Sequence, residues 1–170
     1  MNHSRIPVML AATLLLGSAL TLLAAGPAPV PARRLTLRLN DTPVAADTVE
    51  SRFEVAGTGR VLTLALVRRD APDEPGLTIL LDEFKPVPAV YRFKDVLSGH
   101  VRQASYRAQE RAAESLACGS SEGEVRVTAV DAARRQLTGT FRVVLCATSG
   151  APRGQRLVFE GSFQYPYELR

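Results

Sequence analysis

The chain has 170 residues, a formal net charge of +4 and 46% hydrophobic residues, which is one domain of ordinary size with enough length to bury a core. The basic balance would suit nucleic acid, but the signs are interspersed and basic runs stop at pairs (Arg33 with Arg34, Arg68 with Arg69, Arg134 with Arg135), whereas a phosphate-tracking surface needs a stripe of positive charge. Two cysteines and a single histidine beyond the N-terminal segment exclude a Cys/His zinc cluster.

The N-terminus, MNHSRIPVMLAATLLLGSALTLLAAGPAPVPA, sets Arg5 before an apolar run from Val8 to Ala25, with small residues and prolines after it. That is the pattern of an export signal. Cleavage fits after Ala25, or after Ala32 with Val30 and Ala32 in the small-residue positions. At 18 residues the run also meets the lower edge of a membrane span, so an uncleaved anchor is the alternative; Thr13, Gly17, Ser18 and Thr21 soften the run and favour cleavage. The chain divides into a signal peptide (1–25), a Pro/Ala-rich spacer (26–34) and an all-β domain (35–170). No cysteine lies in or just after the leader, which excludes lipid attachment there.

From Leu35, LTLRLN alternates as a strand with Leu35, Leu37 and Leu39 on one face, and Asn40, Asp41 and Pro43 end it as a turn. The runs 51–57 and 60–68 flank Gly57, Thr58 and Gly59, a hairpin signal. A polar loop from Asp70 to Gly76 leads to the strand GLTILLDEF, which Pro86 and Pro88 break. AVYRF (89–93) is a short edge or corner strand, and HVRQASYRA is another strand candidate. The Ala and Glu content of QERAAESLACGSS favours a helical turn, while its setting among strands favours a long loop.

Residues 123–165 carry the clearest pattern: GEVRVTAVD, a polar turn, LTGTFRVVLC, and then RLVFEGSFQY. Successive strand side chains point to opposite faces, so Val125, Val127 and Ala129 share a face, as do Leu137, Phe141, Val143 and Leu145, and Leu157, Phe159, Phe163 and Tyr165. Their neighbours are mostly polar, as in antiparallel strands with one face on a core and one in water. The fold expected is all-β: a single antiparallel β-sandwich, with an open or closed antiparallel barrel as the alternative, and eight or nine strands. Asp131 is expected to order its turn through its side chain, and Gly139 and Gly161 to mark a bulge or a close crossing.

Export makes the cysteines informative. Cys118 precedes the strand at 123 and Cys146 ends the strand at 137, so the hairpin between them brings both to one end, and a Cys118–Cys146 disulfide fits geometry and compartment. Two unpaired thiols are the alternative.

The run Gly123-x-Val125-x-Val127-x-x-x-Asp131, then Leu137-x-Gly139-x-Phe141, then Glu160-Gly161-x-Phe163 resembles the small exported β-proteins of Bacteroidota, many of them lipoproteins, that are catalogued as domains of unknown function. The resemblance covers about residues 35–165. It departs from the group at Asn40-Asp41, where Asn-Gly is usual, in the aromatic expected soon after, and in the missing lipid-attachment cysteine. It implies a β fold and an envelope location, and adds no catalytic residue.

The chemistry available is sparse. Asp95, Ser98 and His100 could supply an acid, a nucleophile and a base, but triad members normally come from separate elements, so a polar loop is the expectation. Asp82 and Glu83 are adjacent and in a strand would point to opposite faces, so they should not converge. Asp70, Asp73 and Glu74 in one loop lack the regular spacing of a calcium loop. Gly57-Thr58-Gly59 has no helix start or Lys after it and is a turn rather than a phosphate cradle. Tyr91, Tyr106, Tyr165 and Tyr167 are expected in the core or at its rim; a chain with no Trp is poor material for a sugar platform.

The sequence therefore points to an exported protein of the periplasm, cell envelope or extracellular space, acting as a non-enzymatic binding or accessory module. Its expected partner is a small apolar ligand or an envelope protein, with no cofactor, no nucleic acid and membrane contact only through an uncleaved leader. The alternatives are a structural domain of an envelope complex and, behind it, a hydrolase using carboxylates.

Overall fold

The computed structural model describes residues 33–44, 49–56, 61–68, 76–119 and 121–170. The expected leader, the expected turn at 57–59 and the acidic positions Asp70, Asp73 and Glu74 lie outside the described residues. The described chain is built from β1 (Arg34–Leu39), β2 (Thr42–Val44), β3 (Val49–Ala56), β4 (Val61–Arg68), β5 (Leu77–Leu81), β6 (Ala89–Arg92), β7 (Arg102–Ala108), β8 (Arg111–Glu114), β9 (Gly123–Asp131), β10 (Gln136–Ser149), β11 (Arg156–Pro166) and β12 (Glu168–Leu169). Two 3₁₀ turns, Phe93–Ser98 and Leu116–Cys118, complete it.

The all-β expectation holds, with twelve strands instead of eight or nine. The three that periodicity passed over are short. β2 forms because Asn40 and Asp41 take positive φ of 46° and 65°, which closes a two-residue hairpin and lays Pro43 on an edge. β8 occupies the stretch whose composition favoured a helical turn or a loop. β7 pairs with it at Tyr106↔Ala113 and β10 at Cys146↔Glu114, so its backbone groups are satisfied on both edges, which outweighs a weak helical preference. β12 is two residues long and runs parallel to β3, pairing Glu168 with Glu54; every other pair is antiparallel.

The strands form one open sheet in the order β12-β3-β4-β5-β7-β8-β10-β11-β1-β2, with β9 on β10 and β6 on β9. β10 carries two neighbours on one edge, β9 along its first half and β8 along its second. Because only Tyr167 separates β11 from β12, and β12 pairs with β3, the sheet curls back towards its own start. Its two halves face each other across an apolar interior, where the Phe53 ring lies 5.1 Å from Phe163 and the Tyr106 ring 5.0 Å from Phe159.

Alternation fills this interior as expected on β10 and β11: Leu137, Phe141, Val143, Leu145, Phe159 and Phe163 are buried. On β9 it fails at one residue. A register shift lets Thr138 pair with Ala129 and Gly139 with Val127, so the strand skips Thr128; Ala129 turns outward and Val130 packs on the core instead. Gly139 sits at that shift and opposite Phe163, while Gly161 sits opposite Phe141. A Cβ on Gly139 would stand 2.6 Å from Phe163 Cζ, and one on Gly161 2.7 Å from Phe141 Cε1. The repeated Gly-x-Phe of the two strands is thus a reciprocal fit, each ring lying over the other strand's glycine. Asp131 orders the β9–β10 turn, accepting from the Arg134 N–H at 3.0 Å.

Candidate functional site

Register sorts the strand residues to two ends of the curled sheet. Leu62, Leu81 and Arg102 align across β4, β5 and β7 at one end; Leu66, Leu77 and Tyr106 align across the same strands at the other.

The first end is plugged. After β5 the chain turns at Glu83, with φ at 48°, and buries Phe84, which packs beside Tyr91 and Tyr167. Phe93, at the start of its 3₁₀ turn, is fully buried. The side chain of Arg102 is only 6% exposed and forms an ion pair with Asp82 Oδ1. Its Nη1 donates to the Asp82 carbonyl at 2.7 Å, and its guanidinium lies 5.1 Å from the centre of the Tyr91 ring. Burial pushes the Arg102 pKa down. Burial also pushes the Tyr91 phenol up, opposed by its hydrogen bond to the Lys85 backbone.

Here the expectation for Asp82 and Glu83 is corrected. The strand ends at Leu81, so the pair is not held in extended alternation, and the left-handed turn at Glu83 swings both carboxylates to one histidine. His100 Nδ1 lies 3.8 Å from Asp82 Oδ1 and 3.9 Å from Glu83 Oε2. The cluster is committed to the fold: Asp82 Oδ1 faces Arg102, and Oδ2 accepts from the Val101 N–H at 2.7 Å. No group of three His, Cys, Asp or Glu able to hold a metal ion occurs among the described residues. Asp95 meets His100 only through backbone, its carbonyl accepting from the His100 N–H at 3.4 Å, and the imidazole faces Asp82 and Glu83 instead.

The second end is a mouth. An inner cavity of about 100 Å³ is lined by Leu37 and Leu39 of β1, Val44 of β2, Leu66 of β4, Gly76, Leu77 of β5, Tyr106 of β7 and Phe159 of β11. An outer cavity of about 280 Å³ shares Leu39 and Tyr106 with it and is walled by Ala112, Ala147, Ala151, Pro152 and Leu157, with Asn40, Arg111, Ser149 and Gln155 as its side-chain polar groups. The space exists because alanines stand at this end of β8 and β10, where phenylalanines and leucines fill the middle of the interior. Ser149 is turned away from it in part, donating to the Glu110 carbonyl at 3.0 Å. Of the four tyrosines, Tyr91 and Tyr167 are buried and Tyr106 and Tyr165 half-buried; only Tyr106 lines the mouth.

Cys118 and Cys146 form the expected disulfide, with Cα atoms 5.0 Å apart. Cys146 points to the outer face of β10, opposite to Leu145, so the bond straps the 3₁₀ turn Leu116–Cys118 over that face and shields Val144. A closed loop of this length stabilises by about 3–4 kcal/mol in the chain-entropy account.

The outside of the β6–β9–β10–β11–β1 region carries a charge-alternating row, one residue from each strand in direct register: Arg92, Glu124, Arg142, Glu160, Arg38. Arg142 Nε donates to Glu160 at 2.8 Å. Exposed pairs of this kind add little stability each, but the row marks a face in water, since a lipid-facing barrel surface would be apolar there. No helix among the described residues is long and apolar enough to cross a membrane.

The mouth was hidden from the sequence chiefly because β8 was. Arg111 and Ala112 reach the cavity only once that stretch is a strand beside β7 and β10. The burial of Arg102 did have a signal in the sequence: it stands in phase with Ala104, Tyr106 and Ala108, the inward face of β7, and not with the exposed Gln103, Ser105 and Arg107. Comparison with protein-family models, with curated proteins and with solved structures gives no match, so the functional reading rests on this chain's own geometry.

Proposed function

We propose that this protein is an exported, non-enzymatic binding module of the cell envelope that takes a small apolar ligand in the open mouth of its curled sheet. The observation that carries the reading is the pair of adjoining cavities around Leu39 and Tyr106, beside an interior in which Phe53, Phe84, Phe93, Phe141 and Phe163 are buried. Ligand sites are concave and mostly apolar, with a few convergent polar groups, and the mouths of β-barrels are a common place for them. The disulfide and the leader-like N-terminus support an oxidising compartment.

The test is native mass spectrometry of the protein purified from the envelope of its own host, followed by titration with the neutral apolar dye N-phenylnaphthylamine. A small-molecule adduct, or saturable dye uptake that Leu157→Trp abolishes, is the expected result. A bare mass together with no dye uptake overturns the reading.

A second reading, an assembly domain of an envelope complex, draws on Leu97, which is 88% exposed on the 3₁₀ turn Phe93–Ser98 beside a groove lined by Arg92, Lys94, Glu124 and Arg142. Co-purification of a stoichiometric partner that Leu97→Ser releases would favour it.

A further inference from the structure

Resting on the binding-module reading, we infer that the ligand of the mouth is a straight-chain monocarboxylate, its carboxylate held by Arg111 and its acyl chain passing Leu39 and Tyr106 into the inner cavity. Three observations converge on this class. The two cavities adjoin, since Leu39 and Tyr106 line both. The inner one is walled by aliphatic and aromatic side chains with Gly76 and offers an alkyl chain nothing to hydrogen-bond except the rim phenol of Tyr106. Among the described residues the outer one has a single charged lining residue, Arg111.

Among the described residues Arg107 and Arg153 share with Arg111 the lack of an ion pair, and of these three Arg111 is the one that lines the cavity. Arg38, Arg92, Arg126, Arg134, Arg142 and Arg156 each face a carboxylate. Arg111 is exposed at the rim of the cavity and has no ion pair among the described residues. A guanidinium offers a fixed fork of donors that matches a carboxylate in two parallel hydrogen bonds. Its place is set by the tight β7–β8 hairpin, where Ala108 pairs with Arg111 across Gln109, whose φ is 52°. An uncharged apolar ligand would leave this guanidinium unused, and a dicarboxylate would bring a second charge into the apolar inner cavity.

The experiment is displacement of bound N-phenylnaphthylamine from the full-length exported protein, checked by calorimetric titration, using a series of straight-chain carboxylates and the alcohols of matching length. Wild type, Arg111→Gln, Arg111→Lys and the control Arg107→Gln, a β7 arginine that lines neither cavity, are compared after their thermal unfolding is shown to coincide. We expect each carboxylate to bind at least about tenfold more tightly than its alcohol, the size of one charge-assisted hydrogen bond. Affinity should rise by about fourfold per methylene until the inner cavity is full, and then level. Arg111→Gln should erase the preference for the acid while leaving dye and alcohol binding unchanged, Arg111→Lys should keep part of it, and Arg107→Gln all of it. Equal binding of acids and alcohols, or a preference that survives Arg111→Gln, overturns the ligand class and leaves the apolar mouth standing. Failure of dye, acids and alcohols alike overturns both.

Discussion

The two ends of the curled sheet are made from the same strands and finished in opposite ways. At the plugged end the chain spends large side chains, Phe84, Phe93, Tyr91 and Tyr167, and buries the Arg102 guanidinium beside Asp82. At the mouth the lining includes Ala112, Ala147 and Ala151, and cavities remain. Interiors pack to uniform density wherever side-chain volume allows, so a gap kept at one end of the interior records the side chains placed there rather than the strand geometry. The plugged end buries the larger side chains, and the mouth keeps the cavities.

The largest expected effect breaks the plug. Asp82→Ala leaves the Arg102 guanidinium buried without its carboxylate, and denaturant unfolding should show a loss of about 3–5 kcal/mol. Asp82→Leu combined with Arg102→Met replaces the pair by apolar volume and should recover most of it; a double variant as weak as Asp82→Ala would show that the corner depends on the polar groups themselves.

Removing the strap comes next. Cys118→Ser with Cys146→Ser should cost about 3–4 kcal/mol in the same assay while dye uptake at the mouth persists, because the disulfide lies on the outer face of β10. Labelling of both thiols by an alkylating reagent without reductant would remove the basis of this prediction.

A sharper version of the comparison adds small groups at each end of the same interior. Gly161→Ala meets the Thr36 carbonyl and the Phe141 ring, with no room for either to yield, and should cost about 1–3 kcal/mol. Ala147→Val, on the inner face of β10, grows into the outer cavity and should change stability by less than about 1 kcal/mol while weakening dye uptake. Similar losses at both positions would mean that the mouth is as tightly packed as the glycine crossing.

The smallest effect is a pH dependence. Burial raises the Tyr91 phenol above its ordinary value of 10.0, so the neutral phenol's contribution is fully present below that pH and is lost as pH rises through the raised value. Stability should fall more steeply above pH 10 in the wild type than in Tyr91→Phe, as followed by denaturant midpoints across that range.

The β9–β10–β11 meander was legible in the sequence because each strand has one face in water and one on the core, so period-two alternation writes the burial pattern into residue types. The Asp131 turn, the β3–β4 pairing and the Cys118–Cys146 bond were legible for similarly local reasons: turn chemistry, glycine placement and the position of each cysteine relative to one hairpin. Three features were decided only by tertiary structure. β8 is a strand because two unpaired edges awaited it, against the preference of its own alanines and glutamates. Ala129 left the core because a bulge across from Thr138 reversed the alternation, a change set by the partner strand. Asp82 and Glu83 converge on His100 because the chain turns across one end of the sheet, which brings residues from separate strands together. Local pattern therefore determined which segments become strands and which way most of them face; the closing of the sheet on itself decided which end was sealed, which was left open, and that Arg111 stands at the opening.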